Sequence, residues 1–103
     1  MIYRNPKLLA LAKEAPHCMW CKAPNYGQVV AAHSNRQKHG KGVAIKAHDI
    51  PAYICHECHG EIDGRTNVMG MDRQAKQMAW ADAMFESLLW LLQSGRLVNG
   101  KGA

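Results

Sequence analysis

Two short motifs, Cys18-Met19-Trp20-Cys21 and Cys55-His56-Glu57-Cys58, contain every cysteine of the chain. Two residues between ligands let one tight turn aim both sulfurs at a single ion about 2.3 Å from each, and four thiolates complete the closed tetrahedral shell of a structural zinc site. At 103 residues the chain is expected to be one small domain, 1–103, whose modest core gains from such a staple. The competing reading, four unrelated buried thiols, leaves two matched pairs with no spare cysteine unexplained. The gap of 33 residues between the pairs exceeds the usual zinc-ribbon spacing of about 15–20, so a sizeable piece of structure is expected between the two turns.

The second motif runs on into His59 and so also spells CxxCH, the attachment sequence of c-type haem, and six methionines offer axial ligands. The other cysteine pair and the lack of an export signal weigh against haem. Residues 1–14 carry Arg4, Lys7 and Lys13 and no continuous apolar run of signal-peptide type. The densest apolar patch, Phe85 to Leu92, is interrupted by Glu86 and Ser87 and is far shorter than the ~20 residues a membrane span needs. The expectation is a cytoplasmic protein without a membrane role, in a compartment where paired thiols bind metal rather than form disulfides.

The formal charge is +5, and its placement says more than its size. From Ala15 to His48 there is no Asp or Glu, while Lys22, Arg36, Lys38, Lys41 and Lys46 and four histidines, His17, His33, His39 and His48, all fall there. One-signed charge of this kind attracts a polyanion, most commonly nucleic acid; a solvated basic loop is the bland alternative.

The periodicity predicts an α+β order. Residues 1–14 form a leader with a turn of helix opened by Pro6 and closed at Ala15-Pro16. Gln28 to Ala32 reads as a short strand ending at His33, and Ile50 to Ile54 as a second one, with Pro51 placing it at an edge or a strand start. Cys55 to Ile62 reads as a short helix stopped by Gly64. Segment 71–94 reads as a long amphipathic helix. Met71, Ala75, Met78, Ala79, Phe85, Leu88, Leu89 and Leu92 lie on its apolar spacing, and Met78, Trp80, Met84 and Trp90 are expected in the core. Its apolar surface also suggests a homodimer through this helix.

On the short helix, His59 and Asp63 are four apart and share a face, the spacing at which a histidine and a carboxylate hold one divalent ion. His33, at a strand end in the basic stretch, is placed to accept a proton from an attacking water. Taken singly, each has a dull reading as a packing or surface residue; their grouping around one cysteine pair is what suggests a site.

With these pieces in hand, the chain resembles the HNH nucleases, the His-Me finger or ββα-metal superfamily, and within it the small prophage-encoded nucleases of the YbcO type. The resemblance is carried by Ala32-His33-Ser34-Asn35, Gly40-Lys41-Gly42, Lys46-Ala47-His48-Asp49 and Cys55 through Arg65. It implies a zinc-stapled ββα-metal core over 15–65 with a long C-terminal helix, acting on DNA, duplex or branched. By the same resemblance His33 is the general base, and His59 and Asp63 hold a catalytic magnesium or manganese ion. Asp49 falls near the family's middle residue, with Asn35 the alternative. Arg36, Lys38, Lys41, Lys46 and Arg65 would line the nucleic acid. Ala32 departs from the pattern, because many relatives place an acidic or histidine ligand there. The rival expectation is a zinc-stapled DNA-binding or adaptor module without catalysis.

Overall fold

The computed structural model describes residues 2–36 and 48–97. Within them the order is α1 (Pro6–Ala10), a 3₁₀ turn (Leu11–Glu14), β1 (Val29–Ala32), β2 (Ala52–Cys55), α2 (His56–Asp63) and α3 (Arg73–Gln93). Asn5 caps α1, its side chain accepting from the Leu8 amide, with Pro6 at the first helical position, where its missing N–H costs nothing.

β1 and β2 pair antiparallel, Val29 with Cys55 through Ala32 with Ala52. The ladder extends one step further, where the His56 amide donates to the Gln28 carbonyl. Pro51 stands just before β2, where a missing N–H breaks no ladder bond. All four β2 residues are buried, and the strand's other edge is covered. The Tyr53 amide donates to Ser87 Oγ on α3 at 2.9 Å, and the Tyr53 carbonyl accepts from the Met19 amide at 2.9 Å. A two-stranded sheet is marginal alone, and these contacts supply the missing third layer.

α3 begins at the Asp72 cap, whose carboxylate accepts from the Ala75 amide. It buries Ala79, Trp80, Ala83, Ser87 and Leu91. This differs from the expected face. Trp80 is buried, with its Nε1–H donated to the Ala32 carbonyl at 2.9 Å, and Met84 and Trp90 pack partly buried against the core. Met78, by contrast, is 59% exposed and Phe85 57%. The reason is close approach. Small Ala83 and Ser87 let β2 lie directly on the helix, and the Ser87 hydroxyl, itself donating to the Ala83 carbonyl, satisfies the strand edge. Hydrophobicity alone does not single out a serine as the centre of a packed face. No helix among the described residues is long and apolar enough to cross a membrane.

α2 follows β2 without a linker and stops at Gly64, whose φ of 80° is the left-handed conformation that glycine adopts without a Cβ clash. Beyond it, the buried Glu61 carboxylate accepts from the Thr66 hydroxyl and from the Val68 and Met69 amides. Those donors hold its carboxyl below the ordinary range, and they fold the link to α3 back onto α2.

Candidate functional site

The first cysteine turn is built by its own backbone. The Cys18 amide donates to the Ala23 carbonyl at 2.8 Å, the Lys22 amide returns to the Cys18 carbonyl at 3.0 Å, and the Trp20 and Cys21 amides both point at Cys18 Sγ from 3.4 Å. Closing this turn puts Lys22 at φ 69°, a left-handed conformation that a non-glycine residue adopts at some cost. The second pair sits at the end of β2 and on the first turn of α2. Antiparallel pairing of Val29 with Cys55 brings the two turns together.

All four sulfurs lie within 4.8 Å of one another, with Cys18 to Cys58 and Cys21 to Cys55 each at 3.8 Å. The edge of a tetrahedron drawn with Zn–S bonds of about 2.3 Å is about 3.8 Å. The four cysteines could therefore hold a metal ion such as zinc. Without a cation these sulfurs oppose one another's ionisation. Burial and the neighbouring sulfurs push the Cys58 thiol far up, whereas at Cys18 the amides of Cys21, Cys55 and Trp20 outweigh burial and bring it down to about 7. A divalent ion reverses that repulsion and makes all four thiolates favourable together.

Two histidine–carboxylate pairs lie elsewhere on the same elements, one past the end of β1 away from Cys55 and one on α2 after Cys58. His33 follows directly on β1, and its Nε2 is 2.8 Å from Asp49 Oδ1. The Asp49 side chain is 5% exposed. Burial alone would raise its carboxyl, but hydrogen bonds from His33, the Asn5 amide and Arg4 win and hold it below the ordinary value. An ionised carboxylate only accepts, so His33 Nε2 is the donor of this bond and Nδ1 is the ring nitrogen left for another partner.

On α2, His59 Nε2 is 3.0 Å from Asp63 Oδ2, the four-residue spacing at work. Asp63 Oδ1 accepts from Asn35 Nδ2 at 2.8 Å, and Arg65 Nη2 stands 3.8 Å from Oδ2. Burial opposes ionisation of Asp63, yet the bonds from His59 and Asn35, with the charges of His59 and Arg65, bring it down to about 2. Asn35 is two residues beyond His33, so the strand end that carries one pair is tied to the helix that carries the other. Among the described residues the four cysteines are the only group of three or more His, Cys, Asp and Glu side chains at metal-ligand spacing; His59 and Asp63 have no third such partner.

Of the other expected site residues, Arg65 lies beside Asp63, and the Arg36 amide donates to Ser34 Oγ just past the strand end. Lys38, Lys41 and Lys46 lie outside the described residues. Sequence reasoning missed Arg4 and Asn5, which reach Asp49 across more than 40 positions; nothing in the leader's composition marks them. It did weigh Asn35, though not its place between strand and helix. Compared with known proteins, the chain matches no family model, no curated protein and no solved structure.

Proposed function

We propose that this chain is a metal-dependent DNA endonuclease of the HNH kind, stapled by zinc on Cys18, Cys21, Cys55 and Cys58. The observation that carries the reading is the pairing of His33 with buried Asp49, on a strand end that Asn35 ties to the His59–Asp63 pair of α2. His33 Nδ1 takes the proton from a water that attacks the phosphodiester, while Asp49 holds the ring and favours the imidazolium that forms. His59 and Asp63 would hold magnesium or manganese. Their N–O separation of 3.0 Å is also that of adjacent ligands about 2.1 Å from an octahedral ion, reached in exchange for the shared proton. When bound, such an ion stabilises charge on the scissile phosphate and the leaving oxygen. Arg65 and Arg36 flank the pair and the strand end, and with Lys38, Lys41 and Lys46 they supply the positive charge that draws in the polyanion.

Two observations favour the rival, a DNA-binding or adaptor module without catalysis: Ala32 offers no ligand, and the His59–Asp63 pair has no third described partner. Incubating the purified protein with plasmid and with branched DNA, in Mg²⁺, Mn²⁺ or EDTA, separates the two. Cleavage that EDTA stops supports the enzyme; tight binding without cleavage under any condition leaves the module.

Binding is tested separately. Replacing Arg36, Lys38 and Lys41 together by alanine is expected to weaken DNA binding and to reduce the slope of log K against log salt by roughly 2–3, since each lost phosphate contact removes about 0.9. Fluorescence anisotropy across a salt series reads both, and an unchanged slope would move the contact surface elsewhere.

We also propose that two copies pair through α3. Met78, Phe85 and Leu88, 59%, 57% and 39% exposed, lie seven and three residues apart, the spacing of a helix–helix seam. Analytical ultracentrifugation of the parent is expected to show a dimer that Phe85→Glu dissociates; a parent that is monomeric at high micromolar concentration would refute the pairing.

A further inference from the structure

Residues 3–5 and 48–49 form a clasp. The Tyr3 amide donates to His48 Nδ1 at 2.9 Å, and the Asp49 amide donates to the Tyr3 carbonyl at 2.9 Å. The Asn5 amide donates to Asp49 Oδ2 at 2.8 Å, and Arg4 Nη1 donates to Asp49 Oδ1 at 3.1 Å. Oδ1 is the same oxygen that receives His33 Nε2 at 2.8 Å. The carboxylate is therefore fixed at both oxygens by the leader, and its direction toward His33 is set from there. Asn5 has a second local duty, since its side chain caps α1. The helix start and the carboxylate are thus placed by one residue. Asp49 is 3% exposed, so its carboxylate depends on these donors in place of water.

We propose that Arg4 and the Asn5 backbone are positioning groups for the His33–Asp49 pair, so that the N-terminal leader is part of the catalytic unit rather than an appendage to it. This rests on the endonuclease reading for its consequence, but not for its geometry. With Arg4 in place, Asp49 cannot rotate away from His33 without breaking a charge-assisted hydrogen bond as well as the Asn5 contact. Without Arg4, Oδ1 keeps His33 as a partner but loses its second donor, and only the Asn5 amide on Oδ2 still orients the carboxylate, so the acceptor of His33 Nε2–H is held less firmly while the ring remains in place.

The test uses the full-length, zinc-loaded protein with nitrogen-15-labelled histidine, and His33→Gln identifies the resonance. In the parent, the His33 Nε2 proton is expected to be visible and slow to exchange with water. In Arg4→Ala it is expected to exchange about tenfold faster, the factor carried by one hydrogen bond. Cleavage is expected to fall about tenfold through kcat, with KM for DNA little changed, as for other residues that orient a functional group from outside. Arg4→Lys, which restores the charge and one donor, should recover part of both, and Lys7→Ala on the exposed side of α1 should change neither. A folded Arg4→Ala protein with the parental exchange rate overturns the proposal, whatever its cleavage rate. Should Arg4→Ala lose its fold, Arg4→Gln, which keeps a donor without the charge, is read by the same exchange rate with the same two outcomes. A parent that cuts no DNA sinks the endonuclease reading, while the exchange measurement still decides the positioning role.

Discussion

His33→Ala is expected to lower DNA cleavage by about 10²–10⁴-fold, the usual contribution of a positioned general base, while zinc content, melting temperature and DNA affinity stay near parental. The side chain is 17% exposed and lies on the strand end rather than in the packed core, so its removal opens no large cavity. Asp49 would keep its bonds to Arg4 and the Asn5 amide, so no buried carboxylate is left without partners. His59→Ala should also lose cleavage, by a different route: Asp63 keeps Asn35 and Arg65 beside it but becomes the lone protein ligand of the pair. Raising Mg²⁺ or Mn²⁺ should then recover part of the rate of His59→Ala and none of that of His33→Ala. His39→Ala, at a histidine with no assigned part, provides the comparison. Single-turnover cleavage of a labelled substrate across a metal series checks all three. Parental cutting by His33→Ala would end the catalytic reading and leave the binding module as the better account.

What could be read from the sequence was set by the range of the interactions involved. Both cysteine turns, the Pro6 start of α1 and the Gly64 stop are written within a few neighbouring residues, and each stands where its motif indicated. The strand ending at His33 and the face shared by His59 and Asp63 were legible for the same reason. Contacts across the fold were not. Arg4 meets Asp49 only after β2 has brought the two halves together, and a leader arginine looks the same in sequence whether it is solvated or bonded. The buried face of α3 was misread because hydrophobicity marks which residues avoid water, not which are small enough to admit a strand. Ser87 interrupts the apolar patch in the sequence and is fully buried in the fold, whereas Phe85, the more apolar residue, faces outward.

Cys58→Ser is expected to unfold most of the chain. Cys58 is 1% exposed, and its sulfur lies 3.8 Å from that of Cys18, so it joins the turn before β1 to the first turn of α2. The sheet between those elements has two strands of four residues each, too few to stand without support. Structural zinc contributes about 10–16 kcal/mol to the folding of zinc-finger peptides, as much as the whole net stability of about 5–15 kcal/mol of an ordinary domain. A serine hydroxyl ionises far less readily than a thiol, so the fourth thiolate is lost and a buried hydroxyl takes its place. Cys21→Ser should cost less, because Cys21 is exposed and water can complete the shell there. Elemental analysis of the reduced parent is expected to find about one zinc per chain, and the metal should be nearly absent from Cys58→Ser. Far-ultraviolet circular dichroism should show that variant without a cooperative melt, and a strong chelator should bring the parent to the same state. A parent without zinc, a haem absorption band, or a Cys58→Ser protein that melts like the parent would each overturn the four-cysteine staple. The last result would also remove the reason for expecting α2, and His59 with it, to be rigidly placed.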